Sequence, residues 1–212
     1  MSVHTELAEA GVATVYEAYG RRGLLDVDLF PLVPGRSVAG PARIALCGQN
    51  DNRAVHEVMA HVRPGEILVL TMPVAAPVAL FGDLLATQAV TAGAAGVLVN
   101  AAVRDSAELA ALAMPVWTRW RRATGATKNS RGSVNVPVTI GGTEIAPGDV
   151  LVLDDDGATV VAQADVDSAL TAVRERLAKE DGLRKRWAAG ELSYDAYGMR
   201  AEDAERSLRS EP

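Results

Sequence analysis

Two short segments combine residue types that can handle an organic anion: Gly82-Asp83-Leu84-Leu85 and Val103-Arg104-Asp105. The first stands where a loop enters a helix, and a helix start leaves backbone N–H groups unpaired and carries positive partial charge. The Leu84 and Leu85 amides can therefore hold a carboxylate, with Asp83 either capping the helix or facing the same pocket as an acidic ligand. The second segment follows a buried strand and precedes another helix, and loops beyond strand C-termini are the usual ligand sites of parallel sheets. Arg104 offers a fork of donors for an oxyanion or carboxylate. Asp105 offers oxygen to a hard cation such as Mg²⁺, directly or through water. Both segments also have a purely structural reading, because Asp83 and Asp105 are good helix caps and Arg-Asp pairs are common at surfaces.

Other chemistries find little material. The only histidines are His4, His56 and His61. The last two are five residues apart, about 140° around a helix, so they cannot share a metal as an i,i+4 pair does. His56 reads as a partly buried helical residue rather than a catalyst. The only lysines are Lys128, Lys179 and Lys185, and none has the apolar sequence neighbours that favour a Schiff-base lysine. Gly93 and Gly96 lie after a helix and before a strand, the reverse of a dinucleotide fingerprint. Neither a Gly-x-Ser-x-Gly elbow nor a Walker lysine occurs. Cys47 is the single cysteine, so no internal disulfide can form, and it suits a reducing cytosol.

The elements that must position the two segments are legible in outline. Asp83 to Thr91 reads as a helix, Gly96 to Asn100 as a buried strand, and Asp105 or Ser106 starts a helix to about Leu112. With the apolar strand Glu66–Leu70 they form a βαβ-like unit, for which parallel pairing is expected. Upstream, Thr5 to Arg22 reads as one or two short helices and Ala42 to Cys47 as a strand. Asp51 or Asn52 can cap a helix through about Val62, ended by Pro64-Gly65. A Pro-Gly turn feeds an apolar strand twice, at residues 64–70 and 147–153. Residues 116–161 are strand-rich. From Val166 a helix with the stripe Val166, Leu170, Val173 and Leu177 begins, and the tail after Gly190 is polar.

Composition bounds the rest. A chain of 212 residues, 49% hydrophobic and 23% charged, can bury a sizeable core in one large domain or two small ones. Twenty-one basic against 27 acidic residues give a net charge of -6, which argues against a generally basic nucleic-acid surface. The N-terminus lacks a signal-peptide pattern. The most apolar run, Ile67 to Phe81, is broken by Pro73 and Pro77 and is too short to span a bilayer. The expectation is a soluble, cytoplasmic protein with neither nucleic acid nor membrane as partner.

The chain also carries an ordered set of separated motifs. They are Gly11-Val-Ala-Thr-Val-Tyr-Glu-Ala, Gly20-Arg-Arg-Gly-Leu-Leu, Phe81-Gly-Asp-Leu-Leu-Ala-Thr, Ala102-Val-Arg-Asp and Met114-Pro-Val-Trp. Gly132-Ser-Val-Asn-Val-Pro-Val, Pro147-Gly-Asp-Val, Asp154-Asp-Asp-Gly, Ala189-Gly-Glu-Leu and Tyr197-Gly-Met-Arg follow. In these the chain resembles the 4-hydroxy-4-methyl-2-oxoglutarate / 4-carboxy-4-hydroxy-2-oxoadipate aldolases, relatives of the ribonuclease activity regulator A proteins. That family pairs an aspartate with Arg-Asp after twenty intervening residues, as Asp83 and Arg104-Asp105 do here.

The resemblance implies an α/β fold: a compact three-layer β/β/α swivelling-type domain with a C-terminal helical extension. Residues 1–165 would carry the active site, and the helix and tail at 166–212 would act between subunits of a homotrimer or homohexamer. It implies a metal-dependent lyase that cleaves a 4-hydroxy-2-oxo di- or tricarboxylic acid to pyruvate and a 2-oxo acid. Oxaloacetate decarboxylation through the same pyruvate enolate is implied as well. Carried over by position, Asp105 would bind Mg²⁺ or Mn²⁺, and Asp83 would contact the metal through water. Glu180 would do the same from a neighbouring subunit. Arg104 would stabilise the enolate oxygen, while Gly82 and the Leu84 and Leu85 amides would bind the substrate carboxylate. A positioned water would take the 4-hydroxyl proton. Two positions depart from the family pattern. Ala79 stands where glycine is usual, and Asn100-Ala101 where Asp-Gly or Asn-Gly is usual, which points to a different distal end of the substrate. The alternatives are a non-enzymatic protein-binding regulator and a decarboxylase of another 2-oxo acid.

Overall fold

Apolar alternation along the strands decides which layer each side chain joins. A computed structural model describes residues 2–112 and 114–209; residues 1, 113 and 210–212, which the expected domain bounds include, lie outside the described residues. The chain order is α1 (Val3–Ala18), β1 (Phe30–Pro31), β2 (Val38–Leu46), α2 (Arg53–Val58), β3 (Ile67–Thr71), β4 (Ala79–Phe81), α3 (Asp83–Thr91) and β5 (Gly96–Val103). Then come α4 (Ser106–Ala111), β6 (Val116–Arg121), β7 (Ser133–Val134), β8 (Val138–Ile140), β9 (Thr143–Ile145), β10 (Val150–Asp154), β11 (Gly157–Val161), α5 (Val166–Ala188), α6 (Ser193–Ala196) and α7 (Met199–Arg209).

Among the described residues one sheet runs β1-β6-β5-β3-β2-β10-β11, with β4 added to β5 and β7 to β2, while β8 and β9 form a separate hairpin. Strands β2, β3, β5 and β6 are parallel, as the βαβ pattern requires, and β10 and β11 join antiparallel. On one face Leu68, Leu70, Val97 and Val99 meet Val55 and Val58 of α2, Ala86 and Ala89 of α3, and Leu109 of α4. On the other, Ile67, Val69, Leu98 and Trp117 meet Leu151, Leu153 and Val160 of the β10–β11 ribbon. The result is the expected β/β/α layering. Each fully buried leucine contributes about 1.5–3 kcal/mol to holding the layers together. The Trp117 indole N–H also donates to the Asp154 carbonyl at 2.7 Å, tying the two β layers by one polar bond.

Helix α1 and the first turns of α5 cover the outer face of β10, where Leu7, Val12 and Val15 meet Val150, Val152, Leu170 and Val173. Helix α1 is broken at Gly11, whose φ of 80° only glycine adopts readily. The freed Val12 N–H donates to Asp154 Oδ2 at 2.7 Å. This break reconciles the reading of one or two short helices.

Three local expectations need correction. Helix α2 stops at Val58 and tightens into a 3₁₀ turn at Met59–His61 rather than continuing to Val62, because the approach to Pro64 disfavours helical backbone. Leu177 is 42% exposed, so the buried stripe of α5 ends at Val173. Strand β4 was hidden in the proline-broken apolar run.

Contacts divide the chain after Val173. The second unit, from Arg174, holds the rest of α5 with α6 and α7. Within it Trp187 packs edge-on to Tyr197, ring centroids 6.1 Å apart, and Lys185 pairs with Asp181. Among the described residues no helix is long and apolar enough to cross a membrane.

Candidate active site

Strand β4 delivers one chemical segment and β5 the other. The two run parallel with Phe81 opposite Val103, and the Arg104 N–H donates to the Phe81 carbonyl at 3.1 Å. Both chains therefore leave their strands side by side, and Arg104-Asp105 lies against Gly82-Asp83 at the carboxyl ends of the sheet. Gly82 makes the approach possible. Its φ of -156° is open to any residue, but a Cβ there would lie 2.6 Å from Asp105 Oδ2 and 3.1 Å from Arg104 Cγ.

Asp105 does not cap α4. Its backbone is left-handed, φ 55° and ψ 44°, and its carboxyl makes no cap hydrogen bond to that helix. Instead Oδ2 accepts from the Asp83 N–H at 3.3 Å and stands 3.4 Å from Arg104 Nε. Asp83 is not the cap of α3 either. Gly82 holds that position, and Asp83 Oδ1 accepts from the Leu84 N–H at 2.7 Å. The Leu85 N–H makes no hydrogen bond among the described residues; the Gly82 carbonyl accepts from Ala86 and the Phe81 carbonyl from Arg104. The two amides at this helix start therefore differ: the Leu84 N–H is held by its neighbour's carboxyl and the Leu85 N–H is not.

Gly82, Asp83, Leu84, Leu85, Arg104 and Asp105 form one cluster. Glu180 belongs to the second unit, where it pairs with Arg176 at 2.8 Å. Two hollows meet at Arg104. One, of about 120 Å³, is bounded by Gly82–Leu85 together with Asn52, His56 and Lys128. The other, of about 420 Å³, is bounded by Asp105, Ser106, Arg121 and Arg122. The arginines make this side of the site cationic.

Sequence reasoning missed Arg121 and Arg122, read Asn52 only as a possible helix cap, and set aside Lys128 as a Schiff-base lysine and His56 as partly buried. His56 is in fact an exposed residue of α2 at the smaller hollow. Partial desolvation of its ring, and then the charge of Lys128, hold its pKa below the usual histidine value. No spacing rule could have joined residues 52, 56 and 128, since the loop that brings Lys128 here is tied by tertiary bonds. Asn100 and Ala101 lie within β5 and Ala79 within β4, and none is in the left-handed region. The Ala79 N–H donates to the Thr124 carbonyl at 2.8 Å, so alanine there carries no backbone strain.

A divalent metal fits the donor set in one form. Among the described residues no three His, Cys, Asp or Glu side chains gather as a closed metal cage. What the cluster offers is the partly exposed Asp105 carboxyl, with no hydrogen bond on its Oδ1, and Asp83 beside it. One or two carboxylates with water and substrate oxygens suit Mg²⁺ or Mn²⁺.

The RraA-like family model, Aldolase/RraA, matches residues 8–160. A Halalkalibacterium halodurans protein named "Putative 4-hydroxy-4-methyl-2-oxoglutarate aldolase" is 31% identical over 167 residues, covering 79% of this chain and 80% of that one. The solved structure of Streptomyces coelicolor RraAS2, described as an unusual member of the RNase ES inhibitor RraA protein family, is 27% identical with a TM-score of 0.75. The match covers 86% of this chain and 95% of that one. A Pseudomonas syringae pv. tomato protein, 22% identical, shares the fold with a TM-score of 0.80 over 93% of each chain.

Proposed function

The chain belongs to the RraA-like family of aldolases and RraA proteins, and from that premise we propose that it is a divalent-metal-dependent pyruvate aldolase. Its substrate is a 4-hydroxy-2-oxo di- or tricarboxylic acid, cleaved to pyruvate and a second 2-oxo acid, with oxaloacetate decarboxylation as a companion reaction. The observation that carries the reading is the strapping of Arg104-Asp105 against the start of α3 by the Arg104–Phe81 backbone bond.

Asp105 would hold Mg²⁺ or Mn²⁺, with Asp83 and Glu180 of a neighbouring subunit contributing through water in a homotrimer or homohexamer. The metal, when bound, supplies Lewis-acid polarisation of the 2-oxo acid. Every other contribution comes from the chain. The Leu85 N–H binds the 1-carboxylate at the positive end of α3. The Leu84 N–H joins it when the substrate carboxylate replaces Asp83 Oδ1 as its acceptor, which frees Asp83 to accept from water. A water takes the 4-hydroxyl proton, the C3–C4 bond breaks, and its electron pair moves to the 2-oxo oxygen as the enolate forms. The Arg104 guanidinium stabilises that developing charge. Protonation at C3 then gives pyruvate. With oxaloacetate the same bond breaks to release CO₂.

A coupled pyruvate-release assay on 4-hydroxy-4-methyl-2-oxoglutarate and oxaloacetate tests the reading. Activity with Mg²⁺ or Mn²⁺, lost with EDTA and restored by metal, is the expected result; no pyruvate from either substrate sinks it. In the same assay Gly82→Ala is expected to lower kcat about a hundredfold by displacing Arg104 and Asp105 by under an ångström or so. A full-rate alanine variant would show that the close approach has no functional value. The likeness to RraAS2 supports a second reading, a regulator that binds an RNA-degrading enzyme. Capture of such an enzyme by a protein devoid of lyase activity would favour it.

A further inference from the structure

A third hollow, of about 300 Å³, opens at the carboxyl ends of β2 and β3, on the face of the sheet opposite α3. By strand alternation Thr71 points to the same side as Ile67 and Val69, towards the β10–β11 layer. The hairpin β8–β9 supplies more of the wall, with Thr139 and Glu144 directly opposite one another in register. Leu46, Val138 and the rings of Pro73 and Pro137 make the rest of it apolar.

The free polar capacity here is that of acceptors. Asn100 is 7% exposed, and its Nδ2 donates to Thr71 Oγ1 at 3.0 Å, so the amide stands directly behind Thr71. The Oδ1 of the same amide is buried and has no hydrogen-bond partner among the described residues. A buried acceptor left unpaired is costly, and a hydrogen-donating group beside it removes the cost. Thr71 directs its own proton to the Met72 carbonyl at 3.4 Å, which leaves a lone pair on Oγ1. The Glu144 carboxyl is exposed at the rim and has no ion-pair partner among the described residues. No lysine, arginine or histidine borders the hollow, and Pro73 and Pro137 have no backbone N–H to offer. A carboxylate would find no counter-charge in it. A cationic group with several N–H donors meets acceptors on both sides, the Thr71–Asn100 pair within and Glu144 at the rim.

We propose that this hollow is a binding site for a small primary amine. Thr71 Oγ1, Asn100 Oδ1 and Glu144 receive the ammonium head, and Leu46, Val138 and Pro137 pack against the apolar body. An ammonium has three donors and no acceptor, the complement of this wall. The volume lies at the small end of the range for ligand sites, which suits a short aliphatic chain. The site is separate from the Gly82–Leu85 and Arg104-Asp105 cluster, whose arginines favour anions, so the two take ligands of opposite charge.

The test is a saturation-transfer NMR titration of the full chain with n-butylamine and with butan-1-ol, which differ only at the head. The wild type is expected to bind the amine about threefold to tenfold more tightly, the range of a partly exposed charge-assisted contact. Glu144→Gln removes most of that preference, and Thr71→Val weakens amine binding about threefold. Glu108→Gln, which removes an exposed carboxyl of α4 that does not border the hollow, leaves the preference unchanged. That control separates a site from the general attraction of a chain with net charge -6 for cations. Glu144 is exposed on its hairpin, so its variant decides the matter even where Thr71→Val fails to fold. Equal binding of amine and alcohol by the wild type overturns the proposal. So does a preference that survives Glu144→Gln or falls as far in Glu108→Gln. Pyruvate release plays no part in the readout, so the outcome is independent of the lyase reading.

Discussion

Arg104→Ala is expected to lower kcat for pyruvate release by a factor of about a thousand, the scale seen when a donor to a developing oxyanion is removed. The side chain is suited to that role and to little else. It is 49% exposed, stands 3.4 Å from Asp105, and is kept clear by two glycines that would otherwise crowd it, Gly82 and Gly125. The backbone at this position is held independently through the bond to Phe81. Stability should accordingly change by no more than about 0.5 kcal/mol, as for other exposed positions. Arg104→Lys keeps the charge and loses the planar fork, so it should recover only a part of the rate. Steady-state kinetics beside thermal melts check this. An alanine variant with near wild-type kcat would remove Arg104 from the chemistry.

Asp105→Asn should produce a loss of similar size by a different route. The amide keeps an oxygen for the Asp83 N–H but offers a cation no negative charge. Asparagine also tolerates the left-handed backbone found here, φ 55°, about as well as aspartate does. Asp105→Ala loses the same function and adds backbone strain, so its melting temperature should fall below that of the asparagine variant by a few degrees. Mn²⁺ titration followed by electron paramagnetic resonance, with melts of all three proteins, separates the two effects. Undiminished Mn²⁺ affinity in Asp105→Asn would exclude Asp105 as the metal ligand.

The parts of the fold that were legible in the sequence are those set by local pattern. The helix Asp83–Thr91 and the parallel pairing of residues 67–71 with 96–103 follow from apolar runs, glycine turns and crossover geometry. Both Pro-Gly turns feed buried strands, and Gly65 and Gly148 each take the positive φ that such turns demand. The site cluster was legible because its two halves sit at ends of adjacent elements. Reading Asp83 and Asp105 as helix caps failed for a physical reason. The approach of β4 to β5 turns the Asp105 carboxyl towards the start of α3, and no propensity scale contains that contact. That Asn52 and Lys128 meet was not legible, because the buried Asp51 carboxyl, which accepts from Thr127, Asn129 and Ser130, is what unites them.

The place of β2 in the sheet bears on how the chain is made. Strand β2 is flanked by β3 on one side and by β10 on the other. As the polypeptide leaves the ribosome, β3 arrives soon, but β10 comes about a hundred residues later, several seconds or more at ordinary rates of synthesis. Throughout that interval the nascent chain carries an open strand edge, and α1 waits without the surface of β10 that it covers. Unpaired edges of this kind recruit neighbouring chains. Yield in the cell should thus depend on what shields the emerging half, as much as on the stability of the finished protein.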